Sequence, residues 1–224
     1  MRLNKYLALH LGISRREADD IIEMGRAKIN GVTAVLGSQV NDNDLVIANN
    51  KEVSTNTKYQ YLALHKPIGY VCSRRRQGDT PTIYELLPQN LHDLKTVGRL
   101  DKNSSGLILL TNDGDFAYQM THPKFAKVKI YKVKLDKELE PLHQQMISDH
   151  GLQLEDGFSK ITLESDNERD RRYWTATMKE GRNRQVRRTF RALGYIVVQL
   201  HRTNFGNYSL GDIEPGKYED VLMR

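Results

Sequence analysis

The segment that most constrains the fold is a run of four aliphatic residues, 107–110, which lies between a polar loop and a turn at 112–114. So short and apolar a run predicts a buried strand, and the Asn-Asp-Gly sequence after it predicts the turn that ends it. The polar loop carries one acid, Asp101, between Gly98 and Gly106. Glycines on both sides of an acid indicate a backbone that bends tightly or lies close to another molecule. On this pattern alone, Asp101 is either an ordinary turn residue or a reactive carboxylate.

Residues 1–48 predict a small domain of two helices followed by a hairpin. Leucines at i, i+4 and i+8 within residues 1–11 predict an amphipathic helix. The sequence from Ser14 to Glu17 has the form of a capping box, which predicts the start of a second helix. The dipeptide at 30–31, Asn-Gly, predicts a two-residue turn between two short strands.

This arrangement resembles the alpha-L RNA-binding domain, first seen in a small-subunit ribosomal protein and in many RNA-modifying enzymes. The resemblance implies that the second helix and the loop after it face RNA. An alternative is that the same basic residues form the solvated face of a small domain, because acids in that segment dilute the positive charge. The residues that would contact RNA are Arg15, Arg16, Arg26 and Lys28.

The rest of the chain predicts a second, larger domain. Residues 49–58 are polar and nearly free of large apolar side chains, which predicts an interdomain linker before a domain over 59–224. Helices interspersed irregularly among strands favour an α+β fold with a mixed, largely antiparallel sheet over a doubly wound parallel one. The predicted strands cover 59–65, 130–135, 160–164, 173–178, 195–200 and 208–210, and the predicted helices cover 115–120, 139–150 and 183–193.

The positive charge is concentrated near the end of the second domain. The chain has a net charge of +6, and residues 168–191 alone contain nine Lys and Arg against three acids. In the helix predicted there, the apolar residues Val186, Phe190 and Leu193 share one face. The arginines 184, 188 and 191 share the opposite face, with Arg187 beside them. A solvated basic face would look similar, but an Arg-rich row with few acids favours phosphate contacts and hence a nucleic-acid partner.

Composition argues against several other classes of protein. A single cysteine, Cys72, excludes an internal disulfide framework and a cysteine-based zinc site, and the seven histidines do not occur at metal-ligand spacing. We therefore expect no metal. No segment approaches the ~20 apolar residues that a membrane span needs. The polar start of the chain leads us to expect a cytoplasmic location and no membrane partner.

Several motifs, taken together and in order, carry a family resemblance that spans essentially the whole chain. The sequence closely resembles the RsuA-type ribosomal RNA pseudouridine synthases, in which an alpha-L domain commonly precedes the catalytic domain. The motifs that match are Lys-Pro-Ile-Gly at 66–69, Gly-Arg-Leu-Asp at 98–101 with Ser-Gly-Leu at 105–107, Lys-Ile-Tyr-Lys-Val at 129–133, and Glu-Gly-Arg-Asn-Arg-Gln-Val-Arg-Arg at 180–188.

The resemblance implies an isomerase that converts a uridine in folded ribosomal RNA into pseudouridine without a cofactor. Asp101 would be the nucleophile, attacking either the sugar or the base, with Arg187 paired to it. Tyr131 would stack on the flipped-out base and serve as general base, and Leu200 would pack under the base. The glycines beside Asp101 would give the flipped nucleotide room to approach. Further RNA contacts are expected from Arg99, Arg182, Arg184, Arg188 and Arg191.

Other interpretations of these residues stay open. Taken singly, Tyr131 and Leu200 could be ordinary core residues of a sheet. A non-catalytic RNA-binding factor of ribosome assembly would explain the basic surfaces equally well, although not the combination of Asp101, Tyr131 and Arg187. An RNA glycosylase that cleaves the sugar–base bond without rejoining it is a third interpretation. In each case the expected partner is ribosomal RNA, free or in an assembly intermediate, bound by a monomer.

Overall fold

Two α+β parts, each built around its own sheet, make up the protein in a computed structural model that describes residues 1–53 and 58–223. The N-terminal part packs two helices on a four-stranded sheet with the order β2-β1-β3-β4. Its elements are α1 (Leu3–His10), α2 (Arg15–Glu23), β1 (Ala27–Ile29), β2 (Val32–Thr33), β3 (Val46–Ala48) and β4 (Lys51–Glu52).

Local sequence signals determine the N-terminal part, as predicted. The hydroxyl of Ser14 accepts the backbone N–H of Glu17 at 3.1 Å, and the Glu17 carboxylate accepts the N–H of Ser14 at 2.6 Å. This reciprocal capping box satisfies two of the amide groups left free at the start of α2. Asn30 and Gly31 both have positive φ angles, 50° and 84°, which is the conformation of the tight turn that joins β1 to β2.

The linker predicted over residues 49–58 begins too early. Strand β4 pairs with β3 inside the N-terminal sheet, and Val53 is buried in the N-terminal core. Asn49 and Asn50, with φ angles of 49° and 61°, form the two-residue turn of this second hairpin. Two consecutive asparagines tolerate that turn, so a polar stretch that suggests a linker is a hairpin instead. The remainder of the predicted linker at 54–57 lies outside the described residues.

The second part contains three α-helices and eleven strands among the described residues, with a single π-helical turn, Met146–His150, continuing the second α-helix. Three short 3-10 helices also occur there, Ile83–Leu86, Gln89–Leu91 and Pro123–Phe125. The elements are β5 (Tyr61–Lys66), β6 (Lys95–Val97), β7 (Ser105–Thr111), α3 (Gly114–Thr121), β8 (Lys129–Leu135), α4 (Pro141–Gln145), β9 (Leu152–Leu154), β10 (Gly157–Ser159), β11 (Thr162–Ser165), β12 (Tyr173–Met178), α5 (Gln185–Ala192), β13 (Val197–Phe205), β14 (Tyr208–Ser209) and β15 (Tyr218–Asp220).

The large sheet has the order β11-β12-β8-β13-β7-β5-β15, with β14 paired to β13 and β6 paired to β7. Among the described strands every pairing is antiparallel except that of β13 with β7. The expected α+β fold with a mixed, largely antiparallel sheet is therefore confirmed. Strands β9 and β10 form a separate hairpin.

The aliphatic run at 107–110 lies at the centre of this sheet. All seven residues of β7 are buried, with Leu107 and Leu109 in one hydrophobic core and Ile108 and Leu110 in another. The sheet thus has an apolar layer on both faces, which explains why the run is continuous rather than alternating. Strand β7 therefore anchors the end of the loop that carries Asp101.

Gly106 lies where β7 meets β13 in parallel. Its φ is +106°, and a Cβ placed on it would lie 2.2 Å from the backbone oxygen of Arg202. The expectation that this glycine gives room to a nucleotide is therefore wrong. The close neighbour is the backbone of β13, and glycine is required so that the two strands can approach each other.

Candidate active site

Asp101 lies in the loop between β6 and β7, and its backbone forms a turn. Its carbonyl oxygen accepts the N–H of Ser104 at 3.0 Å, so the turn suggested by the sequence is present. Its side chain does not close that turn. The carboxylate is 29% exposed and its Oδ2 atom lies beside two guanidinium groups from the start of α5. A turn backbone and an available carboxylate thus occur in the same residue.

The acid faces both arginines, but the nearer one is Arg184. Its Nη1 atom donates to Oδ2 of Asp101 at 3.2 Å, whereas Nε of Arg187 lies 4.0 Å from the same oxygen. The sequence predicts that Arg184 contacts an RNA phosphate, whereas the structure places it beside Asp101. Arg184 has a left-handed backbone, with φ 48°, immediately before α5. That conformation is costly for a non-glycine residue, and here it brings the side chain to Asp101.

Arg187 connects three parts of the site. Its Nη1 donates to the carbonyl of Val197 at 2.6 Å and its Nη2 to the carbonyl of Asn103 at 2.7 Å. Its Nε is buried and has no hydrogen-bond partner among the described residues. Burial lowers the pKa of this guanidinium, the charge of Arg184 lowers it further, and Asp101 opposes both effects. Arg187 therefore ties β13 to the Asp101 loop and keeps one N–H close to the acid.

A cavity of about 690 Å³ opens beside Asp101, and Tyr131 and Leu200 line it together with the acid, whereas Arg187 is not among its lining residues. Tyr131 and Leu200 are both buried, on the adjacent strands β8 and β13. Cross-strand register pairs Val133 with Leu200 and Tyr131 with Arg202, which places these side chains on one face of the sheet. The structure thus brings the carboxylate, an aromatic ring and an apolar side chain to one cavity.

The predicted outward row of arginines on α5 is only partly present. Arg182 and Arg188 share one carboxylate, with distances of 2.8 Å and 2.5 Å to the two oxygens of Asp156 in the turn between β9 and β10. Arg188 holds the pKa of that carboxyl below its usual range through this bond. These two side chains therefore anchor α5 to the hairpin, and a phosphate would have to compete with Asp156 for them.

The remaining basic residues expected to contact RNA are solvent-exposed. Arg191 lies on the surface of α5, and Arg99 is exposed at the wall of the cavity. The four predicted in the N-terminal part are also exposed, although Arg15 donates to the side chain of Asn4 at 3.4 Å. The latter group comprises Arg15, Arg16, Arg26 and Lys28, and none of its members lines the cavity.

Lys66, the first residue of the Lys-Pro-Ile-Gly motif, is a site residue that sequence reasoning did not single out. Lys66 is completely buried, and its ammonium group donates to the carbonyls of Ser104 at 2.6 Å and Pro67 at 2.9 Å. Because Ser104 follows Asp101 by three residues, Lys66 fixes the Asp101 loop from inside the protein. Burial lowers its pKa to about 8, with the thiol of Cys72 and the Asp101 carboxylate acting in the opposite direction. The motif is visible in the sequence, but its burial is not.

Lys66→Met is expected to remove a pH dependence of folding stability. Between pH 8 and 10.5 the unfolded chain keeps the proton on Lys66 while the folded protein has lost it, so wild-type stability rises with pH in this window. The rise amounts to at most about 3 kcal/mol. Urea unfolding of both proteins from pH 7.5 to 10.5 would show wild type gaining stability relative to Lys66→Met as the pH increases. A difference that stays constant over this range would contradict the prediction.

The described part of the chain contains neither a metal-binding cluster nor a membrane span. Within residues 1–53 and 58–223, no three His, Cys, Asp or Glu side chains are grouped so that they could hold a metal ion. Over the same ranges no helix is both long enough and apolar enough to cross a membrane.

Comparison with known proteins identifies the family. Residues 60–192 match the RNA pseudouridylate synthase family, and residues 1–46 match the S4 domain. The ribosomal small subunit pseudouridine synthase A of Pasteurella multocida is 35% identical over 224 residues, covering 99% of this chain and 96% of that protein. The ribosomal large subunit pseudouridine synthase B of Bacillus subtilis is 34% identical over 229 residues, covering 98% of this chain and 91% of that protein.

A solved structure agrees with these matches. A crystal structure described as a pseudouridylate synthase aligns with a TM-score of 0.71 at 33% sequence identity, covering 99% of this chain and 96% of the other. The agreement extends over both parts of the molecule. This chain therefore belongs to the RNA pseudouridylate synthase family and carries an S4 domain at its N-terminus.

Proposed function

We propose that this protein converts a specific uridine of ribosomal RNA into pseudouridine, without a cofactor, with Asp101 as nucleophile on a flipped-out nucleotide. The observation that carries the proposal is the shared cavity, in which the Asp101 carboxylate, the Tyr131 ring and Leu200 meet. Relatives named for the small and for the large ribosomal subunit support ribosomal RNA as the substrate class. Because one chain supplies every group of this site, the proposal includes a monomer, acting in the cytoplasm where such RNA is made.

The proposed reaction needs no second reactant. The bond between N1 of uracil and C1′ of ribose breaks, a bond between C5 of uracil and C1′ forms, and the proton on C5 is replaced by one on N1. Attack of the carboxylate at C1′ would form a sugar ester and release uracil, whereas attack at the base would form an adduct with the ring. In either case the cavity would retain the fragment that is not bonded to Asp101 while the ring turns. The bond to Asp101 breaks again when the product is complete, which regenerates the carboxylate. Arg184 and Arg187 orient the carboxylate through charge-assisted contacts from one side.

The cavity fits a base that has left its stack. Tyr131 offers an aromatic face on which a flipped uracil can stack, and Leu200 offers an apolar surface under it. The Tyr131 hydroxyl is proposed to act as the general base that removes the proton from the ring carbon. Asp101 is less exposed than Arg99 and Arg184, which line the same cavity, and this favours an extruded nucleotide over one paired in a helix.

Mapping the products tests the proposal and its alternatives together. The protein would be incubated with free ribosomal RNA and with RNA from ribosome-assembly intermediates, followed by sequencing of pseudouridines and measurement of free uracil. We expect pseudouridine at one position and no free uracil. Free uracil would show a glycosylase instead, and bound but unmodified RNA in both preparations would favour a non-catalytic assembly factor.

The N-terminal S4 domain is proposed to hold the RNA through phosphates. Changing both Arg15 and Arg16 to Ala is expected to weaken RNA affinity and to lower the slope of log K against log salt by about 1 to 2, because a phosphate that no arginine neutralises keeps its counterion. Filter binding at a series of salt concentrations would measure this slope for the wild-type protein and for the variant. The control is the double change Arg169→Ala with Lys137→Ala, which removes two exposed charges from the catalytic domain. A slope for the Arg15 and Arg16 variant that equals the wild-type slope would show that these two arginines do not contact phosphate.

A further inference from the structure

Arg202 is a buried cation that the proposed chemistry does not use. Its side chain is 2% exposed, and its Nε donates to the carbonyl of Leu107 at 2.8 Å. Its Nη2 atom is buried and has no hydrogen-bond partner among the described residues. The residue also lines the cavity beside Asp101. A guanidinium N–H that is withdrawn from water and left unpaired is costly, and native proteins seldom keep one without a reason.

A second cation, Lys129, lies at the same end of the cavity. Its ammonium group lies 5.1 Å from the centre of the Phe205 ring, and the Arg202 guanidinium lies 4.8 Å from the same centre. The protein contacts of the ammonium are long, at 3.4 Å to the carbonyl of Glu180 and 3.5 Å to that of Lys127. These distances are at the limit for hydrogen bonds, so the group is weakly held and can still donate.

No carboxylate among the described residues is in direct contact with this pair, although Glu180 opposes the lowering of the Lys129 pKa by burial and by Arg202. Within the described part of the chain, neither Arg202 nor Lys129 has a carboxylate at ion-pairing distance. Two other cations at the cavity do have such a partner, since Arg182 has Asp156 and Arg184 has Asp101. Two partly or fully buried positive charges without a directly paired carboxylate favour an anion supplied from outside.

The sheet register places these cations next to the proposed base site. Tyr131 and Arg202 are directly opposite each other on β8 and β13, and Lys129 precedes Tyr131 by two residues on the same strand. Side chains opposite each other on neighbouring strands, and those two apart on one strand, share a face of the sheet. A uracil stacked on Tyr131 would therefore have its sugar and phosphate within reach of both cations.

We propose that Arg202 and Lys129 form a phosphate site inside the cavity, which holds the backbone phosphate adjacent to the target uridine. This inference rests on the proposed function, because it takes a flipped nucleotide as the occupant. Phosphate is favoured over a carbonyl oxygen of uracil because two cations match its negative charge and the unpaired Nη2 of Arg202 can donate a charge-assisted hydrogen bond to it. The site would position the nucleotide by its backbone, in the same cavity where Asp101 acts on the sugar–base bond.

Mononucleotide binding tests the site without relying on catalysis. Uridine, uridine 5′-monophosphate and uridine 3′-monophosphate would each be titrated into the full-length protein and followed by NMR. We expect one of the two monophosphates to bind about tenfold more tightly than uridine, the size expected for one charged hydrogen bond. In Lys129→Met that preference should largely disappear, while the affinity for uridine itself stays the same.

Lys134→Met is the matched control. Lys134 lies on the same strand, is also half-buried, and its ammonium lies 5.1 Å from the centre of an aromatic ring, that of Tyr173. It does not line the cavity. This variant should keep the full preference for the monophosphate. Arg202→Met should lose the preference as Lys129→Met does, but its circular dichroism and melting temperature must be checked because it also loses the bond to Leu107.

Three results would overturn the phosphate site. The first is equal binding of uridine and both monophosphates by the wild-type protein, including no detectable binding in the millimolar range. The second is an equal loss of uridine and monophosphate affinity in Lys129→Met, which would show that the cations recognise the base. The third is a loss of the monophosphate preference in Lys134→Met, the variant that should keep it. If the phosphate preference holds but no pseudouridine is formed in ribosomal RNA, the proposed function fails and the anion site remains.

Discussion

Asp101→Asn is expected to lower pseudouridine formation by at least about 10³-fold, the scale seen when a nucleophile is removed from a catalytic group. The amide has almost the same shape as the carboxylate but is a far weaker nucleophile, so the chemical step is lost while the cavity is kept. Single-turnover modification of ribosomal RNA, read by pseudouridine sequencing, would measure the effect.

RNA affinity should stay the same or increase in this variant. The wild-type carboxylate offsets the charges of Arg184 and Arg187, at 3.2 Å and 4.0 Å, and its removal leaves these cations available to the RNA backbone. Asp212→Asn is the control, since that exposed carboxylate does not line the cavity. Modification at the wild-type rate by Asp101→Asn would eliminate the proposed mechanism. A loss of RNA binding would show that the acid has a structural role instead.

Much of the site can be predicted from the sequence because its signals are local. Glycine-flanked Asp101 ahead of an aliphatic run indicates a loop ending in a buried strand, and alternation around Tyr131 indicates which face of β8 is buried. Leu200 is predicted by resemblance, and the structure places it in the same cavity. In each case the residue's position follows from its own strand and from the motif around it.

Contacts between distant segments cannot be predicted in this way. Helical spacing shows that Arg188 lies on the polar face of α5, but it does not show that Asp156, from a hairpin about thirty residues earlier, occupies that face. For the same reason the spacing groups Arg184 with the arginines predicted to bind phosphate, although the left-handed backbone before α5 turns it to Asp101. The burial of Lys66 depends in turn on the packing of the Asp101 loop over β5.

The junction of β7 with β13 is the clearest case in which a distant segment determines which residue is allowed, because the backbone of β13 requires glycine at Gly106. Gly106→Ala is expected to destabilise the protein by about 3 kcal/mol or more. The added Cβ would lie 2.2 Å from the backbone oxygen and 2.6 Å from the backbone nitrogen of Arg202, and neither atom can move without separating the two strands. In a chain of this size the melting temperature should fall by roughly 10 °C.

Gly69→Ala separates crowding from backbone strain. Gly69 has a similar φ, +95° against +106°, but a Cβ placed on it would meet no atom within 4 Å. Gly69→Ala should therefore lower the free energy of unfolding only by the cost of the positive φ, about 1 kcal/mol. If thermal unfolding shows that Gly106→Ala and Gly69→Ala lose the same stability, the positive φ alone accounts for the glycine at position 106.

Activity should respond to the same difference. The parallel pairing of β7 with β13 sets the spacing between the Asp101 loop and the strand that carries Leu200 and Arg202. Opening this junction moves the acid relative to the proposed base and phosphate sites, and a displacement of about 1 Å can cost about 10²-fold in rate. At a temperature where both variants are folded, Gly106→Ala should thus lose far more activity than Gly69→Ala. Similar rates would show that the spacing of these two strands does not govern the chemistry.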